Sequence, residues 1–283
     1  MARTVTVGDI MTQEVRYLSI PGTRDQALEG LQDYKVSVLP VLKGEKVVGI
    51  ITHKDILRNP EEEQLAILMN RNVITTEPGV SMGELTRIFI DTGLRRLPVI
   101  RDGKLVGIVA ISDLVESISQ MELTTPVGEL AGNGVVAVWD QTPVKVVAEI
   151  LQLSDREALP VLNGDLELVG VIGLQDLLAL VSIEDKVQET AMSAGTDEDA
   201  WTWESMRDTM KLYYGVSSVS LPDKKVSDVM VHEVVTASPQ TTASECARKM
   251  RRHQIEQVPI INADSKLRGM VIDRDIIRAL LVI

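Results

Sequence analysis

Val47-Val48-Gly49-Ile50-Ile51-Thr52-His53-Lys54-Asp55-Ile56-Leu57-Arg58 is the stretch from which the fold can be read, because versions of it recur three more times. The others run Leu105-Val106-Gly107-Ile108-Val109-Ala110-Ile111-Ser112-Asp113-Leu114, Leu168-Val169-Gly170-Val171-Ile172-Gly173-Leu174-Gln175-Asp176-Leu177 and Leu267-Arg268-Gly269-Met270-Val271-Ile272-Asp273-Arg274-Asp275-Ile276. In each, the acid follows the glycine by six positions. The apolar run before the acid is short and rich in β-branched residues, which predicts a buried strand, and the run after it predicts a helix. Every copy therefore sets one carboxylate at a strand-to-helix junction.

Upstream of each junction lies an apolar strand holding a proline: Val38-Leu39-Pro40-Val41, Leu97-Pro98-Val99-Ile100, Leu159-Pro160-Val161-Leu162 and Val258-Pro259-Ile260-Ile261. A proline cannot donate to a ladder and belongs at a strand start or edge. Turn residues such as Asp102-Gly103-Lys104 join this strand to the glycine strand as a hairpin. Further upstream, Thr23 with Gln26, Ser81 with Glu84 and Thr242 with Glu245 read as capping boxes, and Thr142 with Pro143 is another helix start. Behind the caps, Ala27, Leu28, Leu31 and Tyr34, and Leu85, Ile88 and Phe89, keep helical spacing and predict one buried face. A further strand precedes each cap, within Val15 to Ile20, Val73 to Thr76, Val135 to Trp139 and Val234 to Ala237. Each unit reads strand, helix, strand, strand, helix. The first two strands are expected to be parallel through a right-handed crossover, the third antiparallel through the hairpin.

A repeat of roughly sixty residues fixes the architecture before length does. The expected division is 7–58, 65–118, 127–180 and 226–283, with 181–225 as an insertion. Units this small bury little alone, so adjacent ones are expected to pack in pairs. The insertion is expected to be helical from Ser182 to Ala194 and again after Thr196-Asp197-Glu198-Asp199, with Trp203, Met206, Met210 and Tyr213 along one side. That stripe either packs on its own module or docks a partner.

A hydrophobic content of 45% with 25% charged residues is that of a soluble globular chain, and no apolar run approaches the length of a membrane span. The opening residues Met1 to Asp9 carry no apolar signal core, so a cytoplasmic setting is expected. The net charge of −12 argues against nucleic acid and anionic membrane as partners, and an anionic small ligand would need a locally basic pocket. The single cysteine, Cys246, excludes an internal disulfide and a thiolate metal cluster; it reads as a small buried residue. His53, His232 and His253 have no partners at metal or triad spacing, and no glycine-rich phosphate loop of the Walker or Rossmann type is present. No metal and no catalysis are expected.

With these elements in one order four times, the chain resembles proteins built from cystathionine β-synthase (CBS) domains, arranged as two tandem pairs called Bateman modules. The resemblance covers nearly the whole chain apart from the insertion. It implies an α/β (α+β) fold of four βαββα units paired into two modules, with the helical insertion before the last. It also implies ligands containing adenosine (AMP, ADP, ATP or S-adenosylmethionine) in clefts between paired units, and regulation of a partner protein. A homodimer is expected, because paired modules of this family associate into discs.

The family's ligand motif, Gly-x-x-Thr/Ser-x-x-Asp, is complete only in the first copy, as Gly49, Thr52 and Asp55. The acid is expected on the ribose, since one carboxylate can accept from both ribose hydroxyls. Thr52 and Asp55 can equally well cap their own helix, and the two uses are compatible. Ala110, Gly173 and Ile272 stand where Thr52 does, while Asp113, Asp176 and Asp275 keep the acid. Arg95 and Arg96 match the place where nucleotide-binding relatives carry phosphate-contacting basic residues, and guanidinium groups grip phosphate with paired bonds. The first module therefore outranks the second. The competing reading is an interaction scaffold whose clefts no longer bind.

Overall fold

The computed structural model describes residues 5–34, 36–59, 62–132, 134–154, 156–180, 182–192 and 210–282. In the first copy the elements are α1 (Val7–Ile10), β1 (Leu18–Ser19), α2 (Arg24–Asp33), β2 (Val38–Lys43), β3 (Lys46–Thr52) and α3 (His53–Arg58). The second has α4 (Leu65–Leu68), α5 (Met82–Thr92), β4 (Arg96–Arg101), β5 (Lys104–Ala110) and α6 (Ile111–Gln120). The third has α7 (Val127–Leu130), β6 (Val138–Trp139), α8 (Val144–Ser154), β7 (Ala158–Leu162), β8 (Leu168–Gly173) and α9 (Leu174–Leu178). Strands β9 (Ser182–Met192) and β10 (Met210–Ser220) follow, then a 3-10 turn at Val226–Asp228, α10 (Ala243–His253), β11 (Gln257–Ile261), β12 (Leu267–Ile272) and α11 (Asp273–Ile277).

The hairpins β2–β3, β4–β5, β7–β8 and β11–β12 are antiparallel, and each slips register once, at Val41/Leu42, Val99/Ile100, Val161/Leu162 and Ile260/Ile261. The first strand is parallel where it forms, as β1 on β2 and β6 on β7, but it is only a single bridge at Thr76 and at Ala237. A second proline sets that difference: Ile20 N–H donates to Leu42 O and Asp140 N–H to Leu162 O, both at 2.9 Å, whereas Pro78 and Pro239 hold that place in copies two and four and have no N–H to donate. Thr76 N–H donates to Pro98 O at 3.0 Å and Ile100 N–H to Thr76 O at 2.8 Å; the next rung back would need an N–H on Pro98. The ring nitrogen has none, so the ladder cannot extend backwards, and the same holds at Pro40, Pro160 and Pro259 in the other copies.

The caps form as the sequence predicts at Thr23 with Gln26 and at Ser81 with Glu84, and Thr242 accepts from Glu245 N–H at 3.2 Å. In the third copy α8 begins one residue later than expected, with the Pro143 carbonyl accepting from Val146 and Val147. Ala27 and Leu31 are buried, whereas Tyr34 is 45% exposed beneath the Arg16 guanidinium, 5.1 Å from the ring centroid.

The insertion departs from expectation. Its described residues are strands: β9 pairs antiparallel with β10, Met210 opposite Met192 and Tyr213 opposite Glu189. Ile183, Val187 and Ala191 recur at intervals of four, which satisfy a two-residue period as well as a helical one. Leu212, Tyr213, Tyr214, Val216 and Val219 are strand formers, and pairing decides between the two. Trp203 and Met206 lie outside the described residues.

The segment leading into each copy leaves that copy and docks on its tandem neighbour. Val7 and Gly8 donate to Val80 and Pro78, and Thr12 exchanges two 2.9 Å backbone bonds with Ile108. In return Leu65 donates to Gly22, and Asn70 exchanges bonds of 2.8 and 3.0 Å with Ile50. Copies three and four make the same exchange: Val127 and Gly128 donate to Thr241 and Pro239, while Val226 donates to Thr142 and Val231 pairs with Val171.

This exchange explains the recurrent glycine. A Cβ at Gly49 or Gly107 would come within 2.5 Å of Sδ of Met69 or Met11, and Met230 occupies the same place over Gly170. Copy four differs, with Ala131 over Gly269.

By contacts the chain forms two compact units. One comprises Met1–Gly134, Val235–Ala263 and Leu267–Ile283; the other comprises Val135–Val234 and Asp264–Lys266. In the first unit a core around Ala27, Leu31, Val41 and Ile51 belongs to copy one. A larger core joins copies two and four, with Phe89, Ile111, Leu114 and Ile118 against Cys246, Met250, Ile276 and Ile277. In the second unit Val226 and Met230 complete the core of copy three with Val147, Leu151 and Val161. Among the described residues no helix is long and apolar enough to cross a membrane.

Candidate functional site

Each strand-to-helix junction is built by its acid. Asp55 Oδ2 accepts from Thr52 N–H at 2.9 Å and from Thr52 Oγ1 at 2.6 Å, while Thr52 Oγ1 accepts from Asp55 N–H at 3.3 Å. Asp113, Asp176 and Asp275 use Oδ2 in the same way, accepting from Ala110, Gly173 and Ile272 N–H at 2.7, 2.7 and 3.1 Å. The acid thus satisfies an open amide of the first turn whether or not a hydroxyl precedes it. Asp275 also accepts from Arg278 through Oδ1 at 2.8 Å.

What faces the acid comes from the neighbouring copy. In the first unit a Cβ on Gly132, in the lead-in of copy three, would stand 4.0 Å from Asp275 Oδ1. Thr12 and Asn70 are the equivalents of Gly132 in the repeat, and each is fixed by its backbone bonds to Ile108 or Ile50, in the strand that leads to Asp113 or Asp55.

The two arginines separate, as neighbours on one extended chain must, because alternate side chains leave on opposite faces. Arg96 lies opposite Ala110 in the β4–β5 ladder and donates to Ser37 Oγ of copy one. Ser37 precedes Val38, which pairs with Thr52, so this guanidinium bridges copy two to the Thr52–Asp55 junction. Burial raises the Asp113 carboxyl above the ordinary range; the Ala110 amide and then the Arg96 and Arg251 guanidiniums oppose that, and Glu116 adds to it.

Arg95 turns the other way. Its Nη2 lies 2.6 Å from Glu256 Oε2 and 2.6 Å from Asp273 Oδ2, both in copy four. Asp273 is only 5% exposed, and burial raises its carboxyl although Arg95 pulls the opposite way; Glu256 adds to the rise and Arg274 opposes it. Of the site residues expected from sequence, Thr52, Asp55, Arg96 and Asp113 therefore gather about the pairing of copies one and two. Arg95 and Asp275 lie at copy four within the same unit, and Asp176 belongs to the other unit. Ser37 and Glu256, at the positions equivalent to Arg95, and Asp273, expected only as a helix cap, were not among the site residues expected from sequence. Aligning the copies sets Glu256 at the position of Arg95, but the resemblance implies basic residues there, and an acid facing Arg95 was not expected.

The hollow of about 600 Å³ lined by Thr236, Ser238, Thr241, Lys249 and Asn262 lies elsewhere, at the hairpin-turn end of copy four. Asp275 follows the far end of β12, and Lys249 Nζ donates to Thr236 O at 2.7 Å. With no acid in its wall, it lacks the chemistry expected for a ribose. Among the described residues no three His, Cys, Asp or Glu side chains converge as a metal site would require.

Four pairwise-docked βαββα units with an acid at every junction define a tandem-repeat protein of paired small domains. The CBS domain model matches residues 7–62, 64–120, 127–183 and 226–282, and the chain belongs to that family. An uncharacterized conserved protein from Pyrococcus horikoshii has a solved structure that superposes with a TM-score of 0.71 at 25% identity, covering 97% of this chain and 99% of that one. MJ1225 of Methanocaldococcus jannaschii superposes at 0.66 and 19% identity, over 98% and 100%. In sequence it is 28% identical over 191 residues, which are 61% of this chain and 68% of MJ1225. The CBS domain-containing protein CBSX2 of Arabidopsis thaliana is 30% identical over 146 residues, half of this chain and 57% of CBSX2.

Proposed function

We propose that this chain is a regulatory binding protein for an adenine nucleotide or related adenosyl ligand, held where copies one and two meet, with units 7–58, 65–118, 127–180 and 226–283. Asp55 takes the ribose hydroxyls with Thr52 beside it, and Arg96 takes phosphate. The observation that carries this reading is the Arg96 contact with Ser37, which brings a guanidinium from copy two to the junction that holds Asp55. One oxygen of Asp55 is used by its cap; Oδ1 has no partner among the described residues and is the atom a ribose would meet. Asp113, and less directly Asp176 and Asp275, offer secondary sites of the same kind. The protein turns nothing over, works as a cytoplasmic homodimer, and passes its bound state to a protein partner.

The scaffold reading has its own support, since at every junction the acid is already committed to a helix cap. A thermal-shift panel of adenosine, AMP, ADP, ATP and S-adenosylmethionine decides between them. A bound ligand at a hundred times its dissociation constant stabilises by about 2.7 kcal/mol. A melting curve that no compound moves at millimolar concentration leaves the scaffold.

A further inference from the structure

The two ends of the Arg95 cluster occupy equivalent places in the repeat. Arg95 and Glu256 each stand two residues before the Leu97-Pro98 or Val258-Pro259 pair, and Ile111 and Asp273 each open the helix after the glycine strand. The backbones match as well: Ile111 N–H donates to Arg95 O at 3.0 Å and Asp273 N–H to Glu256 O at 2.8 Å. Copies two and four thus present one backbone surface with opposite charge, and α6 lies against α10 and α11 over a shared apolar core. A second ion pair of reversed polarity spans the same contact, from Glu116 of copy two to Arg251 of copy four.

We propose that Arg95, Glu256 and Asp273, with Glu116 and Arg251, form a charge code that selects the partner of the copy-two helical face: it accepts the acidic face of copy four and refuses its own kind. This inference does not depend on any ligand. Apolar helix faces recur in all four copies, so burial alone discriminates poorly among them; misplaced charge discriminates well. A copy-two face meeting another of its kind would oppose two Arg95 guanidiniums with no acid, since the position of Asp273 is Ile111. It would also set Glu116 against Ile90, the residue in the place of Arg251. A copy-four face meeting its own kind would gather two Glu256 and two Asp273 carboxylates, the latter buried, and set Arg251 against Arg278. Like charges juxtaposed in an interface cost several kcal/mol, and a buried charge without its partner costs more than the pair contributes. Copy four alone carries acids at both places; copy three has Glu157 with Leu174, and copy one Ser37 with His53.

Cys246, fully buried in the core that copies two and four share, provides the readout without any added label. Alkylation of the full chain under native conditions reports the opening of that core. Arg95→Glu should raise the labelling rate by about tenfold or more. The exchange Arg95→Glu with Glu256→Arg restores a cation beside Asp273 and should return the rate to within about threefold of the original. Labelling of Arg95→Glu at the original rate, or of the exchanged protein as fast as the single variant, overturns the proposal. If Arg95→Glu does not fold, recovery of a folded, slowly labelled protein by the exchange supports the code equally. Failure of the exchange together with an unaltered Arg95→Met overturns it.

Discussion

Thr52 Oγ1 donates to Asp55 Oδ2 across 2.6 Å, so the two residues of the one complete ligand motif are first of all partners of each other. The bond orients the carboxylate, and Oδ2 takes both this hydroxyl and the Thr52 amide. On the proposed function, capping falls to Oδ2 and ligand contact to Oδ1 of the same side chain.

From that division, Asp55→Ala should lower stability by about 1 kcal/mol through loss of the cap and weaken adenosine, AMP and ATP by a similar factor. Thr52→Ala should cost about as much stability while altering ligand affinity less, because Thr52 N–H still orients Asp55. Urea unfolding with calorimetric titration measures both. An Asp55→Ala protein that binds every adenosyl compound unchanged would remove Asp55 from the site.

The two arginines should separate by ligand charge. Arg96→Ala is expected to weaken ATP by about tenfold or more while leaving adenosine nearly unchanged, since a charge-assisted bond contributes about 1.5–3 kcal/mol. Arg95→Ala should leave the ATP-to-adenosine ratio alone and lower the unfolding midpoint instead, because it strands Asp273. Reversal of these two phenotypes would reassign the pair.

The buried Asp273 gives a pH signature with a definite sign. Its carboxyl titrates above the ordinary value in the folded chain, so the native state takes up a proton at higher pH than the unfolded state does. Its contribution to stability is therefore present below the unfolded value, about 3.9, and lost as pH rises through the folded one. The stability of the unaltered protein relative to Asp273→Asn should increase as pH falls through that window, with Arg95, Glu256 and Arg274 as the charged neighbours. A pH-independent difference in urea midpoint would contradict it.

Glycine replacement should rank the copies. Gly49→Ala drives a Cβ to 2.5 Å from Met69 Sδ and should cost about 1–3 kcal/mol by overpacking. At Gly269 the nearest atom to a new Cβ is 3.5 Å away, and Gly269→Ala should be close to neutral. Thermal unfolding of the two variants gives the comparison, and equal losses would mean that the methionine is not what the glycine accommodates.

The recurring Gly-x5-Asp and Leu/Val-Pro elements by themselves determined the four units, their hairpins and the acid at every junction. Those features depend on neighbours within a dozen residues: strand propensity, turn residues and a cap that any Asp at the third helical position supplies. The insertion was illegible for the opposite reason. Ile183, Val187 and Ala191 fit either period, and only the pairing of β9 with β10 made them strand. The roles of Arg95 and Arg96 were likewise beyond sequence, because adjacent residues on a strand leave on opposite faces and the chain does not state which face meets which copy. Tertiary structure decided that Arg96 reaches Ser37 and that Arg95 reaches Asp273, which is 178 residues away. A contact across that distance is set by the packing of helices α6, α10 and α11, where apolar burial brings the copies together and charge settles which two they are.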